Sequence, residues 1–356
     1  MNKDMKIKSL LIKTQIGVCM ALVSLVLNSC DMLHDEADDC GLYLRFKYDY
    51  NMKKTDLFSE HVKRVDVFFF DSNGILQEQR SVEGSVLANP DYRMDLTLLP
   101  RNDYQVITWA GLSEDYKLDY EKGETNINDF KLQLLYEDKL KDGIYSHTRS
   151  DLWYALDSIK KGDWRGNTKE VSLIKNTNYF HISLGDSDTR MDEAQLNGYT
   201  FQLTTGDGGY NYKNEPLSNK ELIYGTFDYS EDTDKSRWMA NIGTMRILED
   251  QPAQLVIRTK DNQVVANIDL MYYIKEGSYK SEGEGMTYPE YLDRQDHFYI
   301  HFEIRNYIAV SITIMDGQHG CIILIFKNVV YEEELEYIFI GIASLPYWRI
   351  VGKLYR

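Results

Sequence analysis

Much of the chain is patterned in twos. Over residues 41–50, Leu42, Leu44, Phe46 and Tyr48 alternate with Tyr43, Arg45, Lys47 and Asp49. Successive side chains of a strand point to opposite faces, so this period predicts a half-buried strand. Residues 62–71 (VKRVDVFFFD) predict a second strand, ending in the turn Asp71-Ser72-Asn73-Gly74, with 75–82 returning from it. Strands are expected over 93–99 and 104–112, a turn over 100–103, and one short helix near 127–136. A second block begins near residue 170, with strands over 170–174, 179–184 and 199–205. A helix over 187–197 opens on Ser187 and Asp188 and closes at Gly198. Gly206-Asp207-Gly208-Gly209 predicts a turn. Residues 254–259 and 263–273 predict a hairpin about Asp261-Asn262, and 297–304 and 309–314 the closing strands. Strand and helix never alternate in a sustained way, which favours antiparallel β-sandwiches over a parallel sheet. The expected architecture is all-β, with two tandem sandwiches over 40–168 and 169–317, divided near Arg165-Gly166-Asn167.

The N-terminus has another pattern. Lys3, Lys6, Lys8 and Lys13 precede a 12-residue apolar run, 16–27. About 20 residues are needed to span a bilayer, so the run has the length of a signal-peptide core. Leu27-Asn28-Ser29-Cys30 follows. A Leu three residues before a Cys, with a small residue just before it, is the bacterial lipobox pattern. It predicts a signal peptide over 1–29, cleavage after Ser29, and S-diacylglycerol and N-palmitoyl groups on Cys30. Several acyl chains, at about 0.8 kcal/mol per buried methylene, give lasting attachment where one is marginal. Residues 31–39 (DMLHDEADD) are short and acidic, a solvated tether over 30–39.

Charge narrows the partners. The 356 residues carry a net charge of −16. Removal of 1–29 takes away four Lys and one Asp, which leaves −19. Such a chain repels nucleic acid and anionic headgroups. There are 27 Tyr against 13 Phe, and Tyr favours sheet. Of four Cys, Cys19 leaves with the signal peptide and Cys30 takes lipid. Cys40 and Cys321 remain, able to pair in an oxidising compartment or to stand as separate thiols.

No catalytic constellation rises above chance. The His residues are scattered and no zinc spacing occurs. Ser158–Lys161 and Ser172–Lys175 read S-x-x-K, a string that chance supplies easily. The 206–209 segment lacks the bidentate Glu of a calcium loop, and 332–336 reads as a solvated acidic face. No enzyme activity, metal or cofactor is expected. Trp109, Trp153, Trp164 and Trp238 are the candidates for stacking on a surface glycan, although core packing is the default for Trp109 on an alternating strand.

Several segments in order resemble one family. They are Cys30; Asp39 to Asn51 (DCGLYLRFKYDYN); 62–71; Leu98-Leu99-Pro100 through Tyr104 to Leu112 (YQVITWAGL); Val171-Ser172-Leu173 with Asn176-Thr177-Asn178; Arg246-Ile247-Leu248; and Tyr291-Leu292-Asp293-Arg294. Together they resemble the Bacteroidales fimbrial anchor and minor-subunit family, FimB-type lipoproteins of transthyretin-like pili. The resemblance implies transthyretin-like sandwiches, a lipid anchor in the outer membrane facing the cell surface, and fimbrial stalk or accessory subunits as partners. It also implies that those subunits are held by strand complementation, in which an added strand supplies main-chain hydrogen bonds. A surface adhesin or glycan-binding protein on the same fold is the alternative. The family's closing strand usually ends in Trp; here Ile312-Thr313-Ile314 runs into Met315-Asp316-Gly317-Gln318. Residues 318–356 are therefore expected to be a divergent apolar tail outside the second sandwich.

Overall fold

The computed structural model describes residues 41–185, 191–218, 220–232, 237–305, 308–316, 319–327, 336–342 and 349–354, with side chains as far as Ile304 and again over 311–314. These residues fall into two compact units. The smaller comprises 41–45, 93–102 and 160–169. Its sheet has the order β11 (Asn167–Ser172), β1 (Leu42–Lys47), β4 (Met94–Asp95). Along β1 the burial alternates as the sequence does, with Leu42 and Leu44 fully covered. The strand expected over 93–99 shortens to Met94–Asp95, because the Asp95 carboxylate accepts from Thr97 N at 2.7 Å and turns the chain.

The larger unit holds 46–92, 103–159 and the chain from 170 onward. Its first sheet has the order β12 (Ile174–Lys175), β10 (Trp153–Ile159), β5 (Tyr104–Ala110), β2 (Arg64–Phe70), β3 (Leu76–Glu83). Every residue from Val65 to Phe70 is buried, so both faces of β2 are covered. This explains its unbroken apolar run, Phe68-Phe69-Phe70. In the turn after β2, Asp71 Oδ1 accepts from Asn73 N at 2.8 Å and Ile75 N at 3.0 Å, and Gly74 takes φ +75°.

The helix expected near 127–136 is a strand. Asn126 caps a single 3₁₀ turn, Ile127–Asp129, and β7 (Lys131–Leu134) follows. Leu132 and Leu134 are buried while Lys131 and Gln133 are exposed, a period of two that the 127–136 window hides. β7 lies between β6 (Tyr116–Leu118) and β15 (Tyr210–Asn211).

The second block runs β19 (Val264–Asp269), β18 (Gln254–Thr259), β14 (Tyr199–Gly206), β16 (Glu221–Asp232), β17 (Arg237–Met245), β13 (Thr177–Gly185), β20 (His297–Arg305), β21 (Ile308–Asp316). β16 turns the corner. Residues 221–225 pair with β14, a bulge intervenes between Thr226 and Asp228, and the rest pairs with β17. Phe180, Ile182, Phe298, Ile300, Ile312 and Ile314 join Phe201, Leu203, Leu255 and Ile257 in one core. That core runs on to Phe68, Trp109 and Tyr154 of the first block.

Three further differences separate the expected elements from those observed. β13 and β20 run parallel rather than antiparallel, Tyr179 opposite His297. The strand expected over 263–273 stops at Asp269, whose carboxylate accepts from Met271 N and Tyr272 N and starts the helix Leu270–Ile274. The helix expected over 187–197 is the four-residue Glu193–Leu196, capped by Asp192; Ser187 and Asp188 lie outside the described residues.

Pairing also crosses residue 168. β7 pairs with β15, and β9 (Ile144–Tyr145), beside β8 (Leu140–Lys141), pairs in parallel with β16. At the far end, the backbone of β22 (His319–Lys327), β23 (Glu336–Ile342) and β24 (Arg349–Leu354) continues from β21 as an antiparallel meander. Strand conformation thus extends past Gly317, where the sequence suggested a tail.

Candidate functional site

The signal segment, Ser29, Cys30, the 30–39 tether and Cys40 lie outside the described residues. So does the side chain of Cys321, and with it any pairing to Cys40. Most of 332–336 is likewise outside. Among the described residues no helix is long and apolar enough to cross a membrane, and no group of three His, Cys, Asp or Glu is placed to hold a metal.

What the structure does assemble is a polar junction in the larger unit, where the two sequence blocks meet. Lys175, on β12, has a side chain only 4% exposed. Its Nζ lies 3.0 Å from Asp151 Oδ2 and 2.7 Å from Asp296 Oδ2. The ammonium also sits over the rings of Tyr179 and Trp153, at 5.2 and 5.7 Å. Asp151 Oδ1 accepts from Tyr179 Oη at 2.8 Å and Thr177 Oγ1 at 2.9 Å. Burial pushes the Asp151 carboxyl up; Lys175 and these hydroxyls more than offset it, and the group sits below the usual carboxylate range. A buried charge needs such partners.

Around this cluster lie several of the family-resembling segments. Gly111 has φ +84°, and a Cβ there would strike the Asp151 carbonyl oxygen. Asn176 and Asn214 exchange amide hydrogen bonds. Asn178 donates to Gln295 O at 3.0 Å and accepts from Ile247 N at 3.0 Å. Arg246 Nε lies 2.7 Å from Asp293 Oδ1. The guanidinium of Arg294 stands 3.9 Å above the Tyr50 ring. Arg149, nearly buried, sends Nη1 to Gly243 O at 3.0 Å and bonds Thr244 O through Nη2. Segments far apart in sequence therefore converge on one weld.

Beside it, four rings stack across β13 and β20. Tyr179 lies on His297 and His181 on Tyr299, at centroid distances of 5.1 and 4.6 Å, while the two imidazoles, parallel within 2°, meet edge to edge with centroids 5.3 Å apart. The network sets the tautomers. Asn241 Oδ1 can only accept, so His181 Nδ1 donates to it at 2.7 Å. His181 Nε2 then accepts from His297 Nδ1 at 2.9 Å. Burial lowers the pKa of His181 to about 4. Burial also lowers that of His297, against the pull of Asp296. The composition hid this ladder, because its members are spread from 179 to 299; only the strand alternation around His181 and His297 hinted at a shared face.

The remaining candidates fall into place. Ser172 Oγ donates to Asp49 at 2.6 Å while Lys175 reaches Asp151 and Asp296, so that S-x-x-K pair serves two separate contacts. Ser158 lies on β10. Gly208, at φ +78°, packs where a Cβ would meet Met245. Trp109, Trp153 and Trp164 are buried and offer no ring face to a glycan, while Trp238 is half-buried.

Fold and junction together define an all-β protein whose two blocks are welded through buried polar contacts and a shared core. The chain belongs to the family of fimbrillin-A-associated anchor proteins Mfa1 and Mfa2, whose model matches residues 36–317. It is 29% identical over 221 residues to the minor fimbrium anchoring subunit Mfa2 of Porphyromonas gingivalis, covering 59% of this chain and 64% of that one. The chain thus spans just under two thirds of that relative. A Bacteroides thetaiotaomicron protein described as polysaccharide-binding matches with a TM-score of 0.68 at 27% identity, over 77% of this chain and 95% of that one. One from the same species described as an adhesin matches at 0.66 and 25%, over 78% and 96%. The crystallised Mfa2 anchor of P. gingivalis shares the fold, at 0.57 and 18%, over 77% and 96%.

Proposed function

We propose that this chain is a lipid-anchored fimbrial anchor or minor accessory subunit. Cys30 carries diacylglycerol and palmitate and tethers the mature chain to the outer membrane, facing outward. The observation that carries the reading is the family match over 36–317, joined to the lipobox Leu27-Asn28-Ser29-Cys30 ahead of it. The chain performs no covalent chemistry and takes no cofactor in this reading. A stalk or accessory subunit is held by strand complementation. β3 and β19 stand at the ends of their sheet orders, which makes them the edges to test first. The organisation proposed is a sandwich over 40–168, a second over 169–317, and a tail over 318–356.

Cells expressing Cys30→Ala test the anchor. Shed or abnormally long fimbriae, assayed in the medium and by microscopy, are expected; unchanged, cell-attached fimbriae would defeat the reading. The alternative, a surface adhesin, draws on the solved neighbours so described. It expects normal fimbriae with altered adhesion.

A further inference from the structure

The Lys175 cluster is arranged for more than ion pairing. An amine, a carboxyl carbon and a second carboxylate are the parts an intramolecular amide needs: nucleophile, acceptor and base. Lys175 Nζ lies 2.7 Å from Asp296 Oδ2 and 3.0 Å from Asp151 Oδ2. The first contact holds the Asp296 carboxyl carbon close to the nitrogen, and reacting atoms proceed from a separation of about 3–3.5 Å. Lys175 is on β12, Asp151 lies just ahead of β10 and Asp296 just ahead of β20, so the fold itself fixes the three. The lysine side chain is 4% exposed, beneath the rings of Trp153 and Tyr179, with buried Tyr48 edge-on to Trp153. Burying an ammonium between carboxylates carries a desolvation cost that an uncharged amide does not. Asp151 Oδ1 accepts from Thr177 and Tyr179, which hold that carboxylate ionised and leave Oδ2 for the nitrogen. Asp296 also lines a cleft of about 540 Å³, through which a released water can leave.

We propose that Lys175 and Asp296 condense into an isopeptide bond, with Asp151 as the base. The ammonium first passes one proton to the Asp296 carboxylate, giving a neutral amine and a carboxylic acid. The amine lone pair then attacks Cγ of Asp296. As the C–N bond forms, Asp151 Oδ2 takes a second proton from the nitrogen. It returns that proton to the departing hydroxyl, the C–O bond breaks, and water leaves. One ammonium and one carboxylate become one amide and one water, and Asp151 ends as it began. Until it reacts, the chain keeps the ion cluster. The link joins residues 121 apart in sequence, just ahead of the parallel neighbours β13 and β20, and so closes most of the second block into a covalent ring. It rests on neither the anchor nor the adhesin reading, so a failed Cys30→Ala experiment leaves it standing.

The test is tryptic digestion of the purified full chain, denatured and reduced, read by mass spectrometry. Trypsin cannot cut after a linked Lys175, so residues 170–190 should appear joined to 295–305, lighter than the two together by one water. Asp151→Asn keeps the shape and removes the base, and linkage should slow by at least about a hundredfold. Lys175→Arg keeps the charge and should give no joined peptide. Thermal melting establishes that both variants are folded. Complete cutting after Lys175 in the parent chain, with 295–305 wholly free after days in solution, would overturn the proposal. So would a joined peptide formed undiminished in folded Asp151→Asn.

Discussion

Lys175 Nζ lies 2.7 Å from Asp296 Oδ2, joining the two-residue strand that links the sequence blocks to the residue just ahead of β20. Removing one partner of a fully buried ion pair costs about 3–5 kcal/mol, because the other charge is left stranded. Asp151 and Asp296 keep 27% and 24% exposure, so water recovers part of that. Lys175→Met is expected to destabilise the chain by about 2–3 kcal/mol, read by urea unfolding. An unchanged midpoint would show that the cluster contributes nothing.

The imidazole ladder makes stability depend on pH. His181 is held neutral, with its pKa lowered from 6.5 to about 4. Between those values the unfolded chain binds a proton that the folded chain refuses. Stability is therefore full above pH 6.5 and falls as pH drops towards 4, by up to about 3 kcal/mol. His297 shifts the same way. Melting temperature against pH should show this slope, and His181→Gln should flatten it.

Two glycines with positive φ separate conformational strain from steric clash. At Gly84 a Cβ would meet nothing, but φ +92° with ψ −161° is backbone open essentially to glycine alone, so Gly84→Ala should cost about 1–3 kcal/mol through strain. At Gly111 (φ +84°) a Cβ also meets the Asp151 carbonyl, and Gly111→Ala should cost about 1–3 kcal/mol more than Gly84→Ala. Equal effects in chemical denaturation would contradict the close approach of these two segments.

The proposed tail can be tested by truncation after Gly317. Ile312 and Ile314 are fully buried and lie ahead of the cut. The shortened chain is expected to melt within a few degrees of the full one, and limited proteolysis with mass spectrometry should cut first within 318–356. Full protection there, or loss of folding on truncation, would make β22–β24 integral to the second sandwich.

Local rules were read well where one rule acted alone. The alternation from Leu42 to Lys47, the turn at Asp71–Gly74 and the closing strands 297–304 and 309–314 came directly from side-chain period and turn chemistry. Errors arose where short-range rules competed. At 127–136 a capped turn and a strand merged into one helical pattern. At 263–273 the Asp269 cap interrupted an apolar run. The junction was invisible for another reason: Lys175, Asp151 and Asp296 are unremarkable alone and acquire meaning only when long-range pairing brings them together.

The pairing of β9 with β16 also orders events in time. Tyr145 takes its place beside Tyr224, a residue made far later. As the chain emerges, residues 131–145 have no complete sheet to join until 210–224 follow. Contacts this distant close slowly and leave apolar strands open meanwhile. The early half is thus obliged to wait unfinished, and under the anchor reading proposed above, in which the chain is exported, that delay is a gain: what is not yet closed can still be threaded.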